Sequence, residues 1–176
     1  ARCPRGCIRP VVGPGWGWAQ NTPFRRYKTF TYEGGIASPF IVRWPGVVAA
    51  GGIEKEAVGH VIDLLPTCLE LAGGQYPTQH GKHAVLPVEG RSLVPDLRGQ
   101  PQPPRDQLCW ELYGSRAIRA DNWKLVWGVT GKQWELYDLQ ADRTETTDLA
   151  PRHPELVKDL KSRWEAWQAR CQADPN

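Results

Sequence analysis

Four short aromatic-rich runs near the end of the chain restrict its fold more than any other feature. In order they are LCWELY, SRAIRA, WKLVWG and QWELYDL, and the first begins at Leu108. Turn signals separate them, since Asp121-Asn122 suits a two-residue hairpin loop and Thr130-Gly131 suits another turn. The pattern predicts an antiparallel sheet of about four strands, which is a usual size for a sheet.

A C-terminal helix is predicted to follow the sheet. Pro154 suits its first position, where the missing N–H has no intrahelical acceptor to lose, and apolar residues then recur at every third or fourth position. These residues are Leu156, Leu160, Trp164, Trp167 and Cys171. The stripe predicts that the helix lies across the sheet in a two-layer arrangement. The residues expected to face water are Lys158, Lys161, Arg163 and Glu165.

The middle of the chain carries weaker signals. Phe40 to Trp44 is typical of a short buried strand, which Pro45-Gly46 would end. Residues 47–61 suggest a hairpin with Gly51-Gly52 at its tip. Gln75 to Asp106 is predicted to be mainly loop, and RGQPQPPRDQ is its clearest linker.

The segment IDLLPTCLELAGG predicts a helix. Asp63 can cap the first free amides, Pro66 falls in the first turn, and Gly73-Gly74 supplies the stop. Its apolar side chains are expected to be largely buried, and they are Leu64, Leu65, Cys68, Leu69, Leu71 and Ala72.

Composition places the chain among globular proteins. It has 176 residues, of which 40% are hydrophobic and 23% are charged, enough for one domain with a core. No apolar run approaches the roughly 20 residues that span a bilayer, so we expect no membrane span. The net charge of +3 is too small to indicate nucleic-acid binding through charge alone. Because the sequence lacks methionine and begins at Ala1, we expect the chain to be a fragment.

The five cysteines predict neither a disulfide framework nor a zinc site. Their number is odd, and neither a CxxC pair nor a histidine at ligand spacing accompanies them. Cys68 lies in an apolar helical stretch and is expected to be a small buried hydrophobe. Cys3 and Cys7 could pair or bind metal, but C-x-x-x-C alone is a weak signal and we expect neither.

A basic and aromatic segment, NTPFRRYKTFTYEGGIASPFIVRWPG, runs from Asn21 to Gly46. Arg25, Arg26 and Lys28 lie among its aromatic residues, just before the predicted strand. Either this basic cluster is a solvated edge, which is the usual fate of lysines, or Lys28 faces an anion.

The same segment, followed by HVIDLLPTCLELAGG, resembles the C-terminal third of the sulfatase family, arylsulfatase type, in the alkaline-phosphatase-like superfamily. The runs RAIRADNWKLVW and WELYDLQADRTETTDLAPRHPE are similar to the small C-terminal subdomain of these hydrolases. The resemblance implies an α/β fold that ends in a four-stranded antiparallel sheet packed by a C-terminal helix. The Gly/Pro-rich residues 1–20 are expected to be an irregular N-terminal segment. The resemblance implies the C-terminal part of the main domain with a connecting loop in 21–106 and a small α+β subdomain in 107–176.

The resemblance also implies a role for Lys28. In sulfatases, the lysine of the K-x-x-x-x-E-G-G motif reaches into the active site and binds the substrate sulfate, so Lys28 is the expected catalytic and substrate-binding residue. Glu33-Gly34-Gly35 would form a turn in which the glycines adopt positive φ. Arg25 and Arg26 are expected at the surface or behind the site.

Two other parts of the family's machinery have no counterpart in this sequence. The C/S-x-P-S-R motif, whose Cys or Ser becomes formylglycine, occurs nowhere, and no Asp-Asn pair that binds calcium precedes the lysine motif. The resemblance implies that Ca2+ and formylglycine belong to the full enzyme, with none bound by this chain. We therefore expect the chain alone to be inactive, with the N-terminal part of the same sulfatase as its partner and a small-molecule or carbohydrate sulfate ester as substrate.

Three alternatives remain. The chain could belong to a phosphodiesterase or phosphatase of the same superfamily, or it could brace a larger hydrolase without catalytic function. The aromatic and basic residues around Lys28 could also bind single-stranded nucleic acid, although no RNA-binding signature accompanies them. Other candidate side chains are expected to be structural or exposed: His60, His80, His83, Glu111 and Glu135.

Overall fold

The computed structural model describes residues 13–53, 57–100, 102–128 and 131–172. Their contacts divide them into two compact units, one formed by residues 13–39 with residues 105–172 and the other by residues 40–104. The segment that contains Lys28 therefore makes its contacts with the C-terminal sheet. The three-part division at residues 20 and 106 stays a prediction.

The described secondary structure consists of short helices and strands before residue 105 and longer ones after it. The α-helices are α1 Pro14–Gln20, α2 Glu33–Ile36, α3 Leu64–Leu71, α4 Val94–Leu97 and α5 Pro154–Gln172. Two 3-10 turns lie at Val61–Asp63 and Ala150–Arg152. The strands are β1 Gln79–His80, β2 His83–Ala84, β3 Leu108–Leu112, β4 Ser115–Ala120, β5 Trp123–Gly128 and β6 Gln133–Asp138.

The predicted four-stranded sheet is confirmed. Its order is β3-β4-β5-β6, and every neighbouring pair is antiparallel. The loop after β3 places Tyr113 and Gly114 at φ 50° and 81°, and Asp121 in the predicted Asp121-Asn122 loop has φ 52°. The predicted turn at Thr130-Gly131 falls partly on residues 129–130, which lie outside the described residues. Gly128 and Gln133, on either side of it, are register partners of the antiparallel strands β5 and β6.

The C-terminal helix packs on one face of this sheet, as its apolar stripe predicted. Leu160 and Trp164 are each 1% exposed and contact a cluster of apolar residues on the three strands β4, β5 and β6. Cys171, at the end of the stripe, is exposed instead. Arg163 is half-buried rather than fully in water, because its guanidinium donates to Gln107 and Asp106.

The opposite face of the sheet is also buried. Phe30 and Tyr32, from the basic and aromatic segment, pack there against Ala117, Val126 and Tyr137. Both faces of the central strands are therefore covered, one by a helix and the other by a turn-rich segment far away in sequence.

Three expectations for residues 40–61 and 1–20 are wrong or fall outside the described residues. Phe40 to Trp44 forms no strand, and Ile41 is 90% exposed. The apolar run pairs with no described strand, and without such a ladder it is not buried in a sheet. The hairpin around Gly51 is reduced to turns, and its residues 54–56 are not described. Residues 14–20 are helical rather than irregular, while Cys3 and Cys7 lie outside the described residues.

The helix predicted after Asp63 is present as α3, but its buried side differs from the predicted one. Asp63 does not cap α3, because its carboxylate accepts from the backbone N–H groups of His60 and Arg91. The buried residue of the helix is Thr67, whose hydroxyl donates to Asp63 O and accepts from Leu93 N–H. Polar hydrogen bonds thus replace the apolar anchor that the pattern predicted. The side chains predicted to be buried but found exposed are those of Leu64, Leu65, Cys68, Leu71 and Ala72, so the prediction that Cys68 is a buried hydrophobe is wrong.

The predicted stop of this helix is confirmed. Gly73 has φ 64° and donates to Glu70 O, while Gly74 donates to Leu69 O. These two bonds form a Schellman motif, in which glycine adopts the left-handed conformation without a Cβ penalty. The following loop is interrupted only by the short elements β1, β2 and α4 among its described residues. None of the helices in the described ranges is long and apolar enough to cross a membrane.

Candidate functional site

Lys28 lies in a tight turn formed by Tyr27–Phe30, here called the Lys28 turn. The N–H of Phe30 donates to the carbonyl oxygen of Tyr27 with an N···O distance of 3.1 Å, and the side chain of Lys28 is exposed. Arg26, before the turn, and Thr29, within it, have φ of 65° and 83°. This left-handed region is unfavourable for a β-branched residue, and strained backbone of this kind concentrates at functional sites.

The Lys28 turn rests on Gly34 and Gly35. The N–H of Gly34 donates to the carbonyl oxygen of Arg25 with an N···O distance of 2.9 Å. The prediction that these glycines adopt positive φ is wrong, because both lie in α2 and it is close backbone approach that requires them. A Cβ on Gly34 would collide with the backbone oxygens of Arg25 and Arg26, both before Lys28. A Cβ on Gly35 would collide with those of Tyr27 and Phe30, one on each side of Lys28.

Glu33, the residue directly before these glycines, belongs to a group of three buried charged residues. The group consists of Glu33, Lys124 and Glu145 and is here called the buried ion cluster. The ammonium of Lys124, which is 0% exposed, lies 2.8 Å from Glu33 Oε1 and 2.8 Å from Glu145 Oε1. The backbone N–H of Glu33 donates to Glu145 Oε2 with an N···O distance of 2.7 Å. Burial raises the pKa of the Glu145 carboxyl, although the Lys124 ammonium acts in the opposite direction.

A tight loop holds Glu145 under Lys124. Glu145 itself has φ 58°, and its loop closes on the carboxylate of Asp142, which accepts from Thr144 Oγ1 and from the backbone N–H groups of Thr146 and Thr147. Slight burial acts to raise the pKa of Asp142, but these hydrogen bonds outweigh it and the pKa falls below its usual value. Asp142 is therefore the ionised centre of the loop.

A second polar group ties the same segment to β6. The hydroxyl groups of Tyr32 and Tyr137 each donate to Glu135 Oε2 with O···O distances of 2.6 Å. Arg25 Nη1 donates to the Tyr137 oxygen at 2.8 Å and to the carbonyl oxygen of Glu145. Burial, and then the neighbouring carboxylate, raise the pKa of both phenols. The prediction that Glu135 faces outward is wrong, since it is the shared acceptor of this group.

A family model described as N-sulphoglucosamine sulphohydrolase, C-terminal, matches residues 24–170. The chain belongs to this sulfatase family. Its match includes the Lys28 turn, the buried ion cluster, the sheet and nearly all of α5. The predicted sulfatase resemblance and the α/β fold with a terminal four-stranded sheet are confirmed.

Known sulfatases show the same relationship over most of this chain. An uncharacterized sulfatase of Schizosaccharomyces pombe is 38% identical, with 89% of this chain and 29% of that protein covered. Human arylsulfatase A is 31% identical, with 76% and 26% covered. A crystal structure of Ps i-CgsB in complex with k-i-k-neocarrahexaose has a TM-score of 0.64 and 28% identity, with 83% of this chain and 32% of that chain covered. This sulfatase chain therefore spans about a third or less of the length of these proteins.

Sequence reasoning found Lys28 in this sulfatase chain but missed the residues behind it. Lys124 lies in WKLVWG, where all the remaining residues before the glycine are apolar. A single charged residue within such an apolar strand was the signal that could have identified it, because lysine is rarely buried without a partner. For Glu33 the sequence indicates only a place in a turn. Nothing local distinguishes Glu145 from its polar neighbours, because its partners lie far away in sequence.

The other candidate side chains are structural or exposed. His60 is structural, as expected, since its Nδ1 accepts from the N–H of Ile62. His80 and His83 are exposed and form a register pair between β1 and β2. Glu111 is exposed and accepts from Gln168. Within the described ranges, the sulfatase chain has no group of three or more His, Cys, Asp or Glu residues that could hold a metal ion.

Proposed function

We propose that this chain forms the C-terminal part of an arylsulfatase-like sulfuric ester hydrolase, in which Lys28 binds the sulfate group of the substrate. The observation that supports the proposal is the exposed lysine on a constrained turn. Left-handed backbone at Arg26 and Thr29 and close approach at Gly34 and Gly35 fix that turn. A turn constrained in this way fixes the position of the Lys28 backbone, from which the exposed side chain extends.

The chemistry of sulfate ester cleavage suits such a group. Negative charge builds on the bridging oxygen as the ester bond breaks, and a fixed cation in a water-poor site stabilises that charge in the transition state. A lysine ammonium is a compact point charge on a long stem, so it can reach the sulfate from an exposed turn. In this proposal, Lys28 orients the sulfate and lowers the energy of the developing anion.

The described residues of this chain do not fit the calcium ion on which sulfatases generally depend, and its sequence does not fit the formylglycine. The carboxylates of Glu33 and Glu145 pair with Lys124, and that of Glu135 accepts from two tyrosines. None of the cysteines stands in the C/S-x-P-S-R motif. We therefore propose that the N-terminal part of the same sulfatase supplies both groups. The isolated chain should be inactive, and chelator-sensitive turnover of an aryl sulfate by the purified chain would contradict this.

A chimera tests the role of Lys28. Residues 24–170 of this chain would replace the matching C-terminal segment of human arylsulfatase A, and hydrolysis of an aryl sulfate would be measured. We expect Lys28→Ala to lower kcat by roughly a hundredfold or more, as for other groups that stabilise developing charge. Lys158→Ala, at an exposed position of α5, is the matched control. Equal kcat values for the two variants would overturn the proposal.

A further inference from the structure

We propose that Lys124 is a positioning residue for the Lys28 turn. Its buried ammonium joins Glu33 to Glu145 and so fixes the two glycines on which the turn rests. The functional meaning of this inference depends on the proposed sulfate-binding role of Lys28, but the structural claim can be tested separately.

The ammonium of the buried ion cluster is carried by a residue in the middle of the sheet. Lys124 lies in the central strand β5, where it pairs with Arg119 of β4 and with Tyr137 of β6. Its side chain points away from the α5 face and is fully buried. The sheet therefore determines the position of the ammonium.

Glu33 is held at two points by this anchor. Lys124 Nζ binds its carboxylate, and Glu145 Oε2 accepts from its backbone N–H. A single contact would restrain only the position of Glu33, whereas contacts on its main chain and side chain also fix its orientation. Arg143 Nε lies 3.8 Å from Glu33 Oε2, but its side chain is largely exposed. Without the Lys124 ammonium, the carboxylates of Glu33 and Glu145 would therefore lie close together in a buried place, where like charges repel strongly.

From Glu33 the constraint passes to the turn through the next two residues. Gly34 N–H bonds to Arg25 O, and the two glycines touch backbone oxygens on each side of Lys28. A shift of Glu33 must therefore move or release the segment that carries Lys28. An apolar core of similar volume is often as stable as a buried ion cluster, so stability alone does not account for three charges at this position. The orientation of the Lys28 turn accounts for the three buried charges.

Amide hydrogen exchange on the full chain tests this inference. Lys124→Met removes the charge and keeps the length of the side chain, while Lys158→Met is the matched control on the exposed side of α5. We expect Lys124→Met to reduce the protection of the Phe30, Gly34 and Gly35 amides at least roughly tenfold more than Leu160→Ala does, a variant that lowers global stability without touching the buried ion cluster. Glu145→Gln, which retains an acceptor of similar shape, should produce a smaller change in the same amides.

Two outcomes would overturn the inference. If Lys124→Met leaves the turn amides as protected as Lys158→Met does, the cluster does not position the turn. If Leu160→Ala reduces the protection of the turn amides as much as Lys124→Met does, Lys124 only stabilises the sheet. Lys28→Ala should leave all these amides unchanged, so loss of the sulfate-binding role and loss of the positioning role give different results. Suppose that kcat is unchanged in the Lys28→Ala chimera while the turn amides lose protection in Lys124→Met. This result would reject the sulfate-binding role of Lys28 and leave the positioning role of Lys124 standing.

Discussion

Lys124 Nζ lies 2.8 Å from Glu33 Oε1, although the two residues are 91 positions apart in the sequence. This ion pair joins the central strand of the C-terminal sheet to the first residue of α2. Glu145 completes the contact from the other side, again at 2.8 Å from the ammonium. The sheet thereby becomes the support of the Lys28 turn, and the following changes test that arrangement.

Removal of the buried ammonium should destabilise the sheet unit strongly. Lys124→Ala leaves Glu145 without its cation and Glu33 with only the largely exposed Arg143 at 3.8 Å, and breaking a buried ion pair in this way costs about 3–5 kcal/mol. Urea unfolding followed by tryptophan fluorescence would measure the free energy of unfolding. Lys158→Ala on the exposed face of α5 should change it by less than about 0.5 kcal/mol. Similar values for the two variants would contradict the account.

A methyl group at Gly34 should disturb the Lys28 turn. Its Cβ would collide with the carbonyl oxygens of residues 25 and 26, and backbone cannot give way as a side chain can. We expect Gly34→Ala to lower the free energy of unfolding by about 2 kcal/mol or more. Gly15→Ala in α1 is the control, because a Cβ there meets no atom within 4 Å. The prediction fails if both variants unfold at the same urea concentration.

The phenols that share Glu135 should make stability fall at high pH. The pKa values of Tyr32 and Tyr137 are raised above 10.0 in the folded state, by burial first and then by Glu135. The folded protein thus keeps protons that the unfolded chain releases near pH 10, so this contribution is fully present below that pH and lost as the pH rises above it. Unfolding free energies from pH 8 to 11 would show this loss. Tyr137→Phe should flatten the profile, and an identical slope in the variant would refute the assignment.

The contact of α5 with the sheet should be a main source of stability. Leu160 is 1% exposed within an apolar cluster, so Leu160→Ala should cost about 2–5 kcal/mol. Leu112 in β3 is 44% exposed, and Leu112→Ala should cost less than about 1 kcal/mol. Thermal unfolding would compare them, and the packing is misassigned if Leu112→Ala proves the more harmful change.

The sequence was most informative where structure depends on neighbours along the chain. The four strands and the Asp121-Asn122 loop follow from short apolar runs and turn residues, and the packed face of α5 follows from the spacing of Leu160 and Trp164. The Schellman motif at Gly73 likewise depends on a few adjacent residues. In each of these cases the pattern and the structure share one local cause.

Sequence reasoning failed where structure depends on distant partners. Phe40 to Trp44 has strand composition but pairs with no described strand, and the leucines of α3 are exposed because Asp63 and Thr67 anchor that helix through hydrogen bonds. The site shows the same limit. Lys28 was found through a family motif, whereas the pairing of Glu33 with Lys124 is a tertiary contact that periodicity cannot reveal.

A crystal structure of the arylsulfatase A chimera with a bound sulfate ester analogue would test the central claim most directly. The account predicts that Lys28 Nζ lies about 2.7–2.9 Å from a sulfate oxygen, the usual length of a charge-assisted hydrogen bond. It also predicts that the Lys28 turn keeps its contacts with Gly34 and Gly35. A sulfate bound with Lys28 pointing into solvent, beyond hydrogen-bonding distance, would contradict the account.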